Sequence, residues 1–285
     1  MMPKIIPNRK RTVRRALYHL FLIAFGVVFM YPFIWLILGC FKSNDELFRH
    51  SLALPQSVDF SIFIRGWRGI GRYNYGNYFI NTFILVIPMV LLTLISAQLI
   101  AYGFAWFKFP FKRLFFILMI STMMLPSSVT LIPRYVMFSR WGLVNSYVPL
   151  IAPALFGGSA FFIFMLIQFI RGIPKDLGEA ALLDGCSSFG TLYHVITPLC
   201  VPALFTAGTF QFIWTWNDFL NQLIYINSTS MYTISLGLHM TLDATSNIQW
   251  NSIFAMSLLS VVPLIVLFFI AQKYLVEGIA TTGLK

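Results

Sequence analysis

The sequence has little charge, few cysteines and no loop of the kind that holds a nucleotide. Charged side chains make up 10% of its 285 residues, whereas a soluble domain has about 25%. It contains no Gly-Lys dipeptide, which excludes the phosphate-binding loop Gly-x-x-x-x-Gly-Lys-Ser/Thr. Cys40, Cys186 and Cys200 have no metal-binding or disulfide spacing, and the four histidines are scattered. We expect no catalytic residue, no metal site and no cofactor in this chain.

Long apolar runs make up most of the chain. Hydrophobic residues are 58% of the sequence, and the mean hydropathy is +0.79. A membrane-spanning helix needs about 20 mostly apolar residues, and six continuous, non-alternating runs meet that length. The predicted spans are Ala16–Phe41, Asn77–Phe107, Lys112–Pro133, Tyr147–Ile170, Pro202–Ile226 and Ser252–Leu275. The sequence therefore predicts an all-α polytopic membrane protein with six transmembrane helices.

The net charge of +11 reflects topology and does not indicate a nucleic-acid partner. If the N-terminus is cytoplasmic, 13 of the 20 basic residues fall on the inner side of the six spans. Six of those lie within the first fifteen residues. This asymmetry follows the positive-inside rule and predicts that both chain ends are cytoplasmic.

A short, partly charged segment, residues 171–199, separates the fourth and fifth predicted spans. Pro174 suits the start of a helix, Gly185 suits the position just past its end, and Ser187 suits the cap of a second helix. Pro198 would stop that second helix before the fifth span. Two short amphipathic helices of this kind form a projection that can fill a groove on another protein.

The segment also carries a recognisable pattern. Glu179-Ala180-Ala181 is followed by Asp184 and Gly185, and then by Val195-Ile196-Thr197-Pro198. This arrangement resembles the cytoplasmic EAA loop of ABC importer permeases, with Val195 and Thr197 as small departures. The resemblance implies that ATPase subunits contact this chain at Glu179, Ala180, Ala181, Asp184 and Gly185.

Further stretches are similar to the carbohydrate-uptake branch of these permeases, and in particular to the G-subunit type of the maltose systems. They are Tyr31-Pro32-Phe33-Ile34-Trp35, Asn81-Thr82-Phe83, Trp216-Asn217-Asp218-Phe219 and Thr233-Ile234-Ser235-Leu236-Gly237-Leu238. The resemblance implies an ABC type I permease fold in a bacterial inner membrane. It also implies a second, different permease subunit, two ATPase subunits that bind ATP and Mg, and an extracytoplasmic solute-binding protein.

Spans and resemblance together divide the chain into four parts. We expect a basic cytoplasmic N-terminus at 1–15, and a first span with its external loop at 16–76. A permease core follows at 77–275, with the coupling loop at 171–199, and a cytoplasmic tail at 276–285.

Trp214, Asn217, Asp218 and Asn221 are the predicted substrate pathway. An acidic residue in or near a span is a functional candidate by default, and aromatic and amide side chains suit sugar rings and hydroxyls. On a continuous helix Asn217 and Asn221 share a face and Trp216 points away. The alternatives are that Asp218 lies at the outer interface, caps a helix or pairs with a neighbouring subunit, and that the tryptophans form an interfacial belt.

The last external loop, Asn227–Asn251, has no lysine or arginine. The resemblance implies that Gly237, Leu238 and His239 contact the binding protein. An oligosaccharide is the first expectation for the sugar, and an acidic one is the second. Arg65, Arg68 and Arg72 would suit an acidic sugar or an acidic lobe of the binding protein, and the more ordinary alternative is a solvated loop face.

Two other classes of function stay open at this point. A self-powered secondary transporter would place ionisable residues at mid-membrane and often has inverted repeats, but only Asp218 qualifies and no repeat is visible. A membrane-embedded enzyme would need convergent acids or histidines.

Overall fold

The structure, a computed structural model, describes residues 9–50, 53–69, 72–243 and 249–282, and these ranges contain helices and no strand. The predicted N-terminal part and tail extend outside them, at 1–8 and 283–285. The α-helices are α1 Arg9–Cys40, α2 Asn44–Arg49, α3 Ser61–Arg68, α4 Tyr75–Trp106, α5 Lys112–Met123, α6 Ser127–Arg140, α7 Val148–Ile151, α8 Ala160–Arg171, α9 Lys175–Leu183, α10 Ser188–Thr191, α11 Thr197–Leu199, α12 Val201–Asn217, α13 Leu220–Tyr225, α14 Ile234–Asp243 and α15 Trp250–Thr282.

Four stretches are long and apolar enough to cross a membrane: Leu17–Cys40, Tyr75–Trp106, Val148–Arg171 and Trp250–Tyr274. Two bent pairs of helices meet the same test when each pair is taken together. Counting each pair as one span gives six, which agrees with the predicted all-α architecture.

The third span is not the continuous helix predicted over Lys112–Pro133. Helix α5 ends at Met123, and α6 begins at Ser127 at an angle of 99° to it. Pro126 stands directly before α6. Proline has no N–H to donate and disfavours helical geometry in the residue before it, so it accounts for a bend that apolar composition alone does not show.

The prediction of one helix over Pro202–Ile226 was also wrong. Helix α12 ends at Asn217, Asp218 is extended (φ −70°, ψ 108°), and α13 is a separate helix of 6 residues. The Asp218 carboxylate accepts hydrogen bonds from the Asn221 backbone and side chain. A short polar side chain that bonds nearby backbone groups competes with the helical ladder, and the apolar run continues past this break.

The remaining differences lie in the fourth span and the external loops. The fourth span is interrupted by a 3₁₀ turn, Ala152–Phe156. The Ser96 hydroxyl donates to the Ala154 carbonyl (2.6 Å) and accepts from the Gly157 N–H (3.0 Å), so the interruption is satisfied from α4. The segments predicted as external loops carry helices: α2 and α3 after the first span, and α14 before the last.

The chain divides into two compact units, and the first comprises the residues up to Gly66 together with 246–258. Within it, Gly39 near the end of α1 lies against the Phe254 ring at the start of α15. Ser43 and Glu46 form a reciprocal capping box at the start of α2. Apart from Gly39 and Cys40 at its end, the membrane-spanning part of α1 has no buried residues. Because its side chains are mostly apolar, this helix requires lipid or another subunit around it.

The second unit comprises residues 67–245 and those from 259 onwards, and α4 is its central helix. Small residues on α4, Ala97 and Ala101, allow α8 to approach closely, and Phe162, Leu166 and Ile170 of α8 are fully or almost fully buried there. Helix α12 packs against α4 through Ala203 and Ala207. Small side chains at such contacts are typical of helix packing in membranes. This unit holds all the predicted site residues.

Candidate functional site

The segment that follows the fourth span folds as a helix, a tight turn and a second helical stretch. Helix α9 ends at Leu183, and the N–H groups of Gly185 and Cys186 donate back to the carbonyls of Leu182 (3.1 Å) and Ala181 (2.9 Å). This double hydrogen bond is the Schellman motif, which needs a residue in the left-handed region. Gly185 supplies it with φ of +85°.

The second helical stretch starts at Ser187, whose hydroxyl accepts the Gly190 N–H at 3.0 Å. It runs over Ser188–Leu199 and contains a π-helical turn, Leu192–Ile196. The Thr197 hydroxyl donates a hydrogen bond to the Leu192 carbonyl at 2.8 Å. It also accepts a hydrogen bond from the side-chain amide of Gln98 on α4 at 2.8 Å. The first of these bonds gives the Leu192 carbonyl, at the start of the π-helical turn, a hydrogen-bond partner. After Leu199 the chain bends by 78° into α12.

Two close contacts fix this segment to the end of α4. Gly178 is buried, and a Cβ added to it would lie 2.1 Å from Cζ2 of Trp106. The Tyr102 hydroxyl donates to the Ser188 carbonyl at 3.1 Å. Ala181 is buried with 8% of its surface exposed. Movement of the segment must therefore move α4 or break these contacts.

The opposite side of the segment presents apolar side chains and acids to the surroundings. Leu183 is 89% exposed, and Phe189 and Tyr193 are about two thirds exposed. Glu179 is exposed, and its carboxylate makes no hydrogen bond or ion pair with any residue that the structure describes. Of the five predicted coupling residues, Glu179, Ala180, Asp184 and Gly185 are exposed and Ala181 is buried. An uncovered apolar surface of this kind marks an interaction site.

The predicted pathway residues come together at the end of α12. Trp214, Asn217, Asp218 and Asn221 line one cavity of about 430 Å³. A second cavity of about 150 Å³ adjoins it and shares Met89, Gln211, Thr215, Asp218 and Asn221 with the first. The break in the helix at Asp218 is what turns these side chains toward the same space.

Some of the polar side chains that line these cavities form hydrogen bonds with other groups of the protein. Asn217 donates to the Ile213 carbonyl (2.8 Å) and Gln211 donates to the Thr215 hydroxyl (2.8 Å), which leaves both amide oxygens available as acceptors. Asp218 precedes the N-cap residue Phe219, and its carboxylate accepts the Asn221 N–H in the first turn of α13; the same residue lines both cavities. Trp216 is 2% exposed and donates to the Ser260 carbonyl at 3.2 Å. It packs on Phe83 and Phe212, away from the cavity.

Arg134 and Gln211 are cavity residues that the sequence did not single out. Arg134 lies just past the third predicted span, Lys112–Pro133, yet the bend between α5 and α6 brings it to the wall of the smaller cavity. Gln211 is an amide residue surrounded by apolar residues in the fifth span, and this position could have marked it as a candidate pathway residue. Nothing local in the sequence connects Arg134 with Asp218.

The residues predicted to contact a binding protein lie on α14. Gly237 is buried against the Tyr78 ring, Leu238 is half-buried and His239 is exposed. The His239 ring stacks on Phe219, with ring centres 4.6 Å apart. His239 therefore lies directly beside the helix break that carries Asp218.

A buried polar network holds α14 against the same break. The Thr233 hydroxyl donates to the Gln222 amide oxygen, and the Ser235 hydroxyl lies 3.0 Å from that oxygen and 3.2 Å from the Asp218 carbonyl. The Gln222 amide donates to the Thr215 carbonyl at 3.1 Å. Helix α14 and the cavity wall are thus one hydrogen-bonded assembly.

Asn81 and Thr82 of α4 complete the attachment of the segment that contains α14. The Asn81 amide donates to the carbonyls of Ser230 (2.8 Å) and Tyr232 (3.0 Å). The Thr82 hydroxyl accepts the Ile234 N–H at 2.9 Å. Two stretches that resembled the carbohydrate-uptake branch are therefore in direct contact. Among the described residues, no group of three or more His, Cys, Asp or Glu side chains is placed to hold a metal ion.

These features define a class: an all-α polytopic membrane protein with the type I ABC permease architecture. A crystal structure of a bacterial ABC transporter involved in the import of the acidic polysaccharide alginate contains a chain with this fold. The TM-score is 0.80 at 21% identity, covering 95% of this chain and all of that one.

Sequence comparison gives the family. Residues 97–281 match the family described as binding-protein-dependent transport system inner membrane component. The chain is 34% identical over 279 residues to the probable ABC transporter permease protein YurM of Bacillus subtilis (strain 168), covering 98% of this chain and 91% of that protein. It is 30% identical over 277 residues to the arabinooligosaccharides transport system permease protein AraQ of the same organism, covering 96% and 97%. The chain belongs to this family of inner-membrane transport components, which are transport subunits.

Proposed function

We propose that this chain is one of two different permease subunits of a bacterial ABC importer for a carbohydrate, with an oligosaccharide as the first expectation. The family and the similarity to an arabinooligosaccharide permease support this proposal. Both termini lie in the cytoplasm, two partner ATPase subunits bind ATP and Mg, and a solute-binding protein delivers the sugar. The chain itself carries no cofactor.

The coupling site is the segment Lys175–Leu199. Its exposed side offers Leu183, Phe189 and Tyr193 as an apolar contact surface and Glu179 as an unpaired acid, which together suit an apolar groove with a basic rim. Its inner side is tied to α4 through Gly178 and Trp106. Force applied by an ATPase therefore passes to the helix against which α8 and α12 pack.

The translocation pathway runs past the cavity at the end of α12. Trp214 is 46% exposed and offers a ring face for a sugar, while Asn217, Asp218 and Asn221 offer hydrogen-bonding groups. Alternating access exchanges inward- and outward-facing forms of this cavity. ATP drives that exchange only if its binding stabilises one form more than the other.

The binding-protein contact lies on α14, where His239 is exposed and Leu238 is half-buried. Because α14 is hydrogen-bonded to the Asp218 break through Ser235 and Gln222, docking there acts directly on the cavity wall.

The observation that carries the proposal is the packing of the coupling segment. One side of the segment is in contact with α4, and the other side exposes apolar side chains. The test is purification of the tagged chain from membranes in which its neighbouring genes are co-expressed. We expect a second permease and two ATPase subunits to co-purify in fixed proportion. A chain that purifies alone and moves solute on an ion gradient would instead be a secondary transporter.

A further inference from the structure

The smaller cavity contains a charge pair that is not in contact. Arg134 of α6 and Asp218 at the end of α12 both line this space of about 150 Å³. Arg134 is half-buried and makes no hydrogen bond or ion pair with any residue in the described ranges. Arg134 thus brings a guanidinium with five N–H donors to the wall of this cavity without a hydrogen-bond or ion-pair partner among the described residues.

The cavity walls carry acceptors as well as this donor. Asp218 and Gln211 line both cavities, and Asn217 lines the larger one; each of these side chains has an oxygen that can accept a hydrogen bond. The Asn217 and Gln211 amides each donate one internal hydrogen bond, which leaves one N–H and the oxygen of each amide for a ligand. A ligand therefore meets one cationic donor and several acceptors, among them a carboxylate.

The two cavities differ in volume and therefore suit ligand groups of different size. A water molecule takes about 30 Å³ of liquid volume, so the smaller cavity holds a few waters or the substituent of a ring. The larger cavity, about 430 Å³ with the half-exposed Trp214 at its wall, has room for a sugar ring. Substituents of a ring in the larger cavity can then reach Arg134 and Asp218.

We propose that Arg134 and Asp218 make this site selective for neutral saccharides, and that each charge excludes ligands of its own sign. A sugar hydroxyl both donates and accepts, so it satisfies the guanidinium and the carboxylate equally. The carboxylate of an acidic sugar gains from Arg134 but is repelled by Asp218 within the same space, and an amino sugar meets the reverse. This inference rests on the proposed function and names the substrate class of that same pathway.

The test compares the affinities of the site for an acidic and a basic trisaccharide. This comparison does not require the natural sugar to be known. Binding of labelled trigalacturonate and of the trisaccharide of glucosamine is measured on the purified complex with its partner subunits. Asp218→Asn should raise the affinity for trigalacturonate by about tenfold or more, since an unopposed Arg134 remains. Arg134→Gln should raise the affinity for the glucosamine trisaccharide by a similar factor.

Two further variants make the result specific. The double variant Arg134→Gln with Asp218→Asn should lose both gains, because the cavity is again neutral. Arg140→Gln removes the same charge from an exposed position on α6 and should change neither affinity. Each single variant tests the proposal by itself if the other fails to assemble.

Equal binding of trigalacturonate by the wild type and Asp218→Asn, or unchanged preference in both single variants, would overturn the inference. Such a result would leave the proposed function intact if ATPase subunits still co-purify and the binding protein still stimulates hydrolysis. Loss of co-purification in the wild type would refute the proposed function.

Discussion

Replacing Gly178 with alanine tests the attachment of the coupling segment to α4. The added Cβ would lie 2.1 Å from Cζ2 and 2.7 Å from Cη2 of Trp106, too close to be accommodated without movement. The Trp106 ring also stacks on Tyr102, with ring centres 5.8 Å apart. The ring therefore cannot shift alone, and α9 must move away from the end of α4.

The magnitude follows from two opposing effects. Alanine is preferred to glycine inside a helix by roughly 0.5–1 kcal/mol, whereas overpacking a tight contact costs about 1–3 kcal/mol. Taking the middle of each range, the net of about 1 kcal/mol lowers the docked population of the segment by a factor of about 5. We expect coupled transport in proteoliposomes to fall by a similar factor, while the ATPase subunits stay bound because the outer surface is unchanged.

The control is Gly103→Ala on α4, where an added Cβ meets nothing within 4 Å; this variant should transport normally. A second check is the double variant Gly178→Ala with Trp106→Phe, in which the smaller ring should restore transport. Full coupling in Gly178→Ala, or failure of the smaller ring to restore it, would refute the argument that force passes through this contact.

Three further variants and one crosslink test the other sites. Gly185→Val should uncouple hydrolysis from transport, because φ of +85° costs a β-branched residue about 1–2 kcal/mol or more, and normal sugar-stimulated hydrolysis would contradict this. Glu179→Lys should reduce recovery of the ATPase subunits on pull-down without changing insertion of the chain. Asn217→Leu should lower transport several-fold, as expected for one lost hydrogen bond of about 1 kcal/mol, and binding-protein affinity for the sugar should not change. His239→Cys should crosslink to a cysteine placed in the binding protein, and the yield should depend on bound nucleotide. A yield that is the same with and without nucleotide would count against that contact.

The parts of the fold that the sequence predicted depend on local chemistry. Six apolar runs fixed the number of spans, because length and hydropathy decide which helices cross a bilayer. Ser187 and Gly185 marked the ends of the coupling helices correctly, since a cap and a left-handed turn are specified by one or two residues. The functional roles of Glu179 and its neighbours remain proposals.

The parts that were missed depend on contacts between distant residues. The break at Asp218 lies inside an apolar run that continues to Ile226, so composition gave no boundary. Helix α14 was taken for a loop because its surroundings are small and polar, whereas Thr82 and Gln222 hold it in place from α4 and α13. Arg134 reaches the cavity only because the chain bends before α6. Packing in three dimensions, and not local preference, decides each of these features.

The central claim is that ATP hydrolysed by partner subunits drives sugar import through this chain. The most direct measurement is uptake of labelled saccharide into proteoliposomes that contain the purified complex, with ATP inside and the loaded binding protein outside. The account predicts uptake that requires both ATP and the binding protein and does not respond to an imposed ion gradient. Uptake that proceeds without ATP, or without the binding protein, would contradict it.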